Sequence, residues 1–154
     1  MSIRLQRITR DNWQDALQLQ VHPEQEKYVA SNLYSMAQAH AEPEWTCRGI
    51  YDGETMVGFI MDGVSEEGDT LDGYWVCRFM LGKQYQKMGY GRRAMDLLLQ
   101  EVRDQGHSEV FISFVPENEG AKRLYTSVGF VDTGAMDDDE VVYRLAWNGT
   151  DKSQ

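Results

Sequence analysis

The sequence predicts a mixed α+β domain built on one central, mostly antiparallel, twisted sheet flanked by helices. Three observations carry this reading. Two β-rich runs flank Asp52-Gly53, a strong hairpin signal, and another pair of runs closes the chain around Asp137-Asp138-Asp139-Glu140. Between two further strand-like runs lies an amphipathic stretch with Met95, Leu98, Leu99 and Val102 at helical spacing, the pattern of a β-α-β crossover. No linker, internal repeat or low-complexity segment divides the chain, so residues 1–147 are expected to form one domain and residues 148–154 a polar, frayed tail.

The elements follow in the order β-α-α-β-β-β-α-β-α-β-β. Residues 3–8 read as a strand, and the helix after it sets Trp13, Ala16 and Leu17 on one face. Pro23 suits the first position of a second helix over residues 23–39, with Val29, Leu33, Met36 and Ala37 as its apolar face. Strands at residues 45–51, 55–64 and 74–81 come next. Gly106 ends the long helix that follows, and residues 109–115 are rich in β formers. Asn118 is a good N-cap for a helix carrying Ala121, Leu124, Tyr125 and Val128, which Gly129 closes. Residues 130–133 and 141–147 form the last hairpin.

Composition narrows the function. The 154 residues are 42% apolar and 26% charged, values of an ordinary globular chain. No apolar run approaches the ~20 residues of a membrane span, and the N-terminus does not read as a signal peptide. Lys and Arg number 15 against 25 Asp and Glu, a formal charge of −10, which argues against a nucleic-acid partner and would suit a cationic one. The plainer reading of that charge is solubility. Cys47 and Cys77 fall in strands without metal-ligand spacing, so no metal is expected and both read as buried free thiols of a cytoplasmic protein. Asn148-Gly149-Thr150 matches a glycosylation sequon by chance.

The most informative run is Gln86-Lys87-Met88-Gly89-Tyr90-Gly91-Arg92-Arg93, between a strand and a helix. A helix N-terminus presents unpaired N–H groups and a partial positive charge, and glycine lets an anion approach the backbone. Gly89-x-Gly91-x-x-Ala94 also fits the loose dinucleotide pattern, but the preceding strand ends near Leu81, several residues too early, and no Gly-Lys-Ser/Thr follows for a Walker loop. A tight turn before a helix is the bland alternative.

Gln86, Gly89 and Gly91 resemble the acetyl-CoA signature of the GCN5-related N-acetyltransferases, Gln/Arg-x-x-Gly-x-Gly/Ala. Asn118, Ala121, Leu124-Tyr125 and Gly129-Phe130 resemble a second element of that family, and the order of elements fits its fold from Ile3 to Trp147. Within the family, His22-Pro23-Glu24-Gln25, Asn32 with Ser35-Met36-Ala37, and Trp75-x-x-Arg78-Phe79-Met80 resemble bacterial spermidine/spermine (diamine) acetyltransferases.

The resemblance implies transfer of an acetyl group from acetyl-CoA, a cosubstrate, to a primary amine by direct attack on the thioester. It assigns Phe79, Met80 and Leu81 to the pantetheine arm, with one N–H polarising the carbonyl, and the backbone of Lys87, Met88, Gly89, Tyr90, Gly91 and Arg92 to the pyrophosphate. Asn118 would contact the cofactor as well as cap its helix. Tyr125 would be the general acid, although its place on an apolar face also suits core packing. Glu24, Asp72 and Glu140 are candidates for the general base and substrate contacts, and no spacing selects among them. Cys77 stands where some relatives carry an acid, and Met88 where glycine or lysine is common. Glu66-Glu67-Gly68-Asp69 with Asp72, and the Asp137–Glu140 run, could receive a polycation or simply be solvated turns. A small-molecule amine is the expected partner and a homodimer the expected assembly. Other acceptors (a protein N-terminus, an amino acid, an aminoglycoside) and a non-catalytic acyl-CoA-binding module stay open.

Overall fold

The β-rich runs fold as seven strands: β1 (Ile3–Arg7), β2 (Trp45–Asp52), β3 (Thr55–Ser65), β4 (Gly73–Leu81), β5 (Glu109–Phe114), β6 (Val131–Asp137) and β7 (Glu140–Ala146). The helices are α1 (Trp13–Gln18), α2 (Asn32–Ala41), α3 (Tyr90–Asp104) and α4 (Glu119–Val128). The structure is a computed structural model, and residues 1–65 and 71–147 are described. The acidic run at 66–69 and the tail from 148 with its sequon lie outside the described residues.

One sheet holds all seven strands in the order β1-β2-β3-β4-β5-β7-β6. Every pairing is antiparallel except β4 with β5, which α3 connects as a crossover. β3 divides the core, its alternation interrupted at Val57, an extra residue where the β2–β3 register slips between Ile50 and Tyr51. Val57 and Ile60 face a layer built from Met95, Leu98 and Val102 of α3, with Tyr125 of α4 and Phe130. Phe59 and Met61 face the other side, where Ala16 and Leu19 pack with Met36 and Ala39. Gly53 turns the first hairpin at φ 60, as the Asp-Gly signal requires.

The helix expected over 23–39 is divided. Pro23–Gln25 is one 3-10 turn, and α2 starts only at Asn32, where the Ser31 side chain accepts a hydrogen bond from the Tyr34 N–H at 3.1 Å. Two local interactions decide this. The Gln25 Oε1 accepts from the His22 N–H at 3.0 Å and closes the short turn, while the cap at Ser31 supplies a better helix start. Val29 therefore lies in an irregular connection, not on a helix face. Leu33 is exposed, and the buried residues of α2 are Asn32 and Ser35. Asn32 donates to the carbonyls of Ala16 (2.8 Å) and Leu19 (3.4 Å), so a polar side chain occupies the inner face to satisfy the end of α1. Trp13, expected to share a face of α1 with Ala16 and Leu17, is 40% exposed while Ala16 is fully buried. β6 runs four residues beyond the predicted strand, and Cys47 and Cys77 are free and only half-buried.

Candidate active site

β4 starts inside the sheet and leaves one of its neighbours midway. It pairs with β5 only from Tyr74 opposite Val110 to Val76 opposite Ile112. On its other edge it stays with β3 as far as Leu81 opposite Gly58. The β3 register slips at the point of parting. Met61 faces Arg78 and Asp62 faces Val76, so Cys77 is an extra residue in β4. A bulge bends its strand and increases the local twist. β5 meanwhile continues with β7 up to Phe114 opposite Val141. The outcome is a wedge between residues 77–81 and the end of β5. Backbone groups of β4 that point into the wedge have no partner strand and can bond a ligand.

A cavity of about 260 Å³ occupies this wedge. Cys77, Arg78 and Phe79 line it from β4, Ser113 and Phe114 from β5, Asn118 and Tyr125 from the α4 region, Glu140 from β7, and residues 27–30 close it. A second cavity of about 460 Å³ shares Cys77, Arg78, Ser113, Asp139 and Glu140 with the first. It continues past Glu42, Asp137 and Asp138, with Trp45 and Trp75 in its wall. The two form one path from the wedge to an acidic mouth.

Of the predicted cofactor residues, Phe79 and Asn118 line the wedge, while Gln86 to Arg92 lie before and in the first turn of α3, in neither cavity lining. Lys87 (φ 63) and Gly89 (φ 88) both take left-handed backbone angles, and Gly89 is the N-cap of α3. The first N–H bonded within the helix is that of Arg93, to the Gly89 carbonyl at 3.3 Å, which leaves the N–H groups ahead of it for an anion. At Gly91 a Cβ would stand 3.2 Å from the Leu124 Cδ2, so glycine lets α3 begin tight against α4. Tyr90 can offer only backbone, because its ring is buried and its hydroxyl donates to the Asp52 Oδ2 at 2.6 Å. That hydrogen bond holds the Asp52 carboxyl below its ordinary range. Met88 is exposed, and Arg92 makes an exposed pair with Asp96 at 3.4 Å.

Gln86 has another role for its side chain. It exchanges amide hydrogen bonds with Gln25 at 3.0 and 3.1 Å and donates to the Leu81 carbonyl at 3.1 Å. This clasp fixes the loop to the end of β4 and to the connection that walls the cavity. In β4, Phe79 packs edge-on to Tyr125 with ring centroids 6.4 Å apart, whereas the Met80 side chain faces the opposite layer. Leu81 is partly buried against the α3 layer. Only the backbone of Met80 is thus left to the wedge.

Asn118 caps α4, its Oδ1 accepting from the Ala121 N–H at 3.2 Å, and still lines the cavity. Tyr125 combines core packing with access to the site. Its ring lies against Phe114 and Phe130, at centroid distances of 5.4 and 5.9 Å. Among the described residues no hydrogen bond engages its hydroxyl. Burial, then the charge of Glu140, pushes its proton affinity well above that of a free phenol.

Of the three acids the sequence offered, the structure brings only Glu140 into the cavity. Glu24 and Asp72 are exposed and line neither space. The Glu140 Oε1 accepts from the Ser113 Oγ at 2.8 Å. On balance its carboxyl is pushed above its ordinary range: burial raises it most, the Ser113 bond and then Arg78 pull it down, and Asp137 and Asp139 push it up again. Cys77 is pushed up to about 11 by burial, so it stays a neutral thiol near pH 7 and is neither base nor nucleophile. Arg78, Ser113, Glu42 and the residues 27–30 were not singled out as site residues. Arg78 alone carried a signal, its place in the Trp75-x-x-Arg78 run.

These features are those of an acyltransferase built on a split sheet. The sequence model of the Acetyltransferase (GNAT) family matches residues 5–130, and the chain belongs to that family of N-acetyltransferases. The spermine/spermidine N(1)-acetyltransferase of Bacillus subtilis (strain 168) is 30% identical over 141 residues, covering 89% of this chain and 93% of that protein. Among solved structures, the GNAT domain of PAT from S. lividans superposes with a TM-score of 0.76 at 15% identity, over 94% of this chain and 90% of the other. PaiA N-acetyltransferase from Thermoplasma acidophilum, solved in complex with coenzyme A, gives a TM-score of 0.69 at 14% identity, over 96% and 100%. Among the described residues no helix is long and apolar enough to cross a membrane.

Proposed function

We propose that this enzyme acetylates a terminal primary amine of a polyamine or diamine such as spermidine or spermine, with acetyl-CoA as donor and direct attack of the amine on the thioester. One observation carries the choice of acceptor: the wedge opens into a path walled by Glu42, Asp137, Asp138, Asp139 and Glu140. Carboxylates at intervals suit several ammonium groups, and two indoles beside them suit cations and methylene stems. The 30% identical spermine/spermidine enzyme supports the same acceptor.

The residues present fit a coenzyme A arm. The unpaired edge of β4 can take its amides, the left-handed loop at Lys87 and Gly89 its pyrophosphate, and Asn118 the arm between. Bound acetyl-CoA supplies an activated acyl carbon and a thiolate leaving group. Tyr125 keeps a proton at its Oη for the departing sulfur, and Glu140 accepts one from the acceptor nitrogen, directly or through water. Residues 27–30 and the Gln25–Gln86 clasp close the site over both. The domain is proposed as residues 1–147.

An amine panel with acetyl-CoA, read by thiol release and by mass spectrometry for one added acetyl, tests this. Spermine and spermidine are expected to give kcat/KM at least tenfold above a mono-amine of similar length, and Glu140→Gln to lose about 10²-fold at pH 7. Preferential turnover of a peptide N-terminus or an aminoglycoside would overturn the acceptor assignment. Cofactor binding without turnover of any amine would make the chain a binding module.

A further inference from the structure

Arg78 is a half-buried cation that the acetyl-transfer scheme above leaves without a task. It sits one residue past the β4 bulge and lines both cavities at their junction. Its Nη1 donates to the Cys77 carbonyl and to the Cys77 Sγ, both at 3.0 Å, and its Nη2 donates to the Gln38 Oε1 at 3.1 Å. Gln38 in turn donates to Glu42 at 3.3 Å, and Glu42 also accepts from the Trp45 indole at 3.1 Å. The guanidinium is therefore pinned from two elements. Yet its Nε is buried with no hydrogen-bond partner. Leaving that donor buried and unmet is costly. A cation in this place also repels the polycation that the path is proposed to receive.

We propose that Arg78 is a positioning residue that sorts charge along the acceptor path, holding Glu140 ionised and the reacting nitrogen neutral at the wedge while the carboxylates of the mouth keep the rest of the acceptor cationic. The proposal rests on the amine-acetylating reading with Glu140 as proton acceptor. Its physical basis is placement. An amine must lose its proton before it can attack, and primary amines are mostly protonated at neutral pH. Glu140 must be ionised to take that proton, but it is surrounded by other carboxylates. A fixed guanidinium at the junction corrects both, because it favours a nearby carboxylate over its acid and disfavours a nearby ammonium relative to its amine.

The charged and titratable groups around Arg78 come from every side. Cys77 flanks it on β4 and Cys47 faces it from β2. From α2 and its end come the Tyr34 ring, 5.9 Å from the guanidinium carbon, and Glu42. The β6–β7 turn adds Asp137, Asp138, Asp139 and Glu140. Lys27, Tyr28 and Tyr125 close the wedge side. Both thiols are pushed up to about 11 by burial, so neither carries charge near neutrality. The carboxylates outnumber the cations, and Arg78 is the cation held nearest the junction by hydrogen bonds.

The test is the pH profile of kcat/KM with spermidine. Arg78→Gln keeps an acceptor and a donor for Gln38 but removes the charge. Glu140 then binds its proton more tightly and the amine holds its own more tightly, so both effects move the acid limb to higher pH. The expected shift is about one pH unit, a roughly tenfold loss at pH 7 that largely recovers by pH 9. Arg78→Lys should restore the wild-type limb within a few tenths of a unit even if its maximal rate is lower. A loss by the same factor at every pH, or a lysine variant shifted like the glutamine one, would overturn the proposal. Carbon-13 NMR of the Glu140 carboxyl, assigned with Glu140→Gln, reads the same quantity without turnover. It should titrate below neutrality in the wild type and higher in Arg78→Gln, and titration above pH 8 in the wild type overturns the proposal even if the variant does not fold. Absence of turnover with any amine would count against the acetylation reading, whereas turnover with an unmoved limb would count only against Arg78.

Discussion

Tyr125→Phe is expected to lower kcat about 10²-fold and to leave the dissociation constant of acetyl-CoA within about twofold. The ring earns its place in the core through Phe79, Phe114 and Phe130, and phenylalanine keeps those contacts, so folding should be little changed. Only the hydroxyl is lost. Burial raises its proton affinity far enough that it stays protonated throughout the working range, which is the state a departing thiolate needs. The group therefore adds no alkaline limb of its own below pH ~10. Steady-state kinetics beside calorimetric titration of acetyl-CoA separates the two quantities. A fully active Tyr125→Phe enzyme would return Tyr125 to the role of a core aromatic. A variant that loses cofactor affinity along with rate would show that the hydroxyl binds and does not donate.

Which parts of this were legible in the sequence follows from the range of the interactions. Gly89 at the start of α3, Asn118 at the start of α4 and Gly53 in the first hairpin are local devices, each decided within a few residues. The buried face of α3 is periodic and equally plain. The bulge at Cys77 is neither local nor periodic. It exists because β3 and β4 pair in a register that slips between Met61 and Asp62, and no composition signals that. The break after Gln25 has local causes at His22 and Ser31, but where that stretch lies is fixed by a side-chain clasp to Gln86, 61 residues away. The choice of Glu140 over Glu24 and Asp72 has the same origin. All three are acidic residues outside apolar patterns, and only the folding of β7 beside β5 carries one of them to Ser113. Asn32 inverts the usual rule, since a helix end next to it needs donors more than the core needs another leucine.

Arg48→Met is expected to destabilise the protein by about 3–5 kcal/mol at pH 7, because it strands a carboxylate the fold has buried. Arg48 on β2 bridges Asp62 on β3 at 3.2 Å and Glu101 on α3 at 2.6 Å, and the Tyr74 hydroxyl of β4 donates to Asp62. The Asp62 side chain is only 2% exposed. Burial already pushes its carboxyl up, and Arg48 is the strongest influence pulling it back. Without Arg48 it rises further, so the folded state binds that proton more tightly than the unfolded chain does. Such a group favours folding below its unfolded value of about 3.9 and loses that contribution as pH rises toward its folded value. The variant should thus regain part of its lost stability on going from pH 8 to pH 5. In a domain of this size the loss corresponds to a fall in Tm of about 10 °C. Adding Asp62→Asn should restore more than half of it, because Asn removes the stranded charge and still accepts from Tyr74. Thermal unfolding of the wild type and the two variants at two pH values checks each step. The network joins three strands and α3 at the stretch where Tyr74 pairs with Val110, immediately before the wedge opens. Folded Arg48→Met at low temperature should therefore keep its kcat within a few-fold while its Tm falls. A variant as stable as the wild type at pH 8 would mean that Asp62 is held neutral by Tyr74 and burial alone.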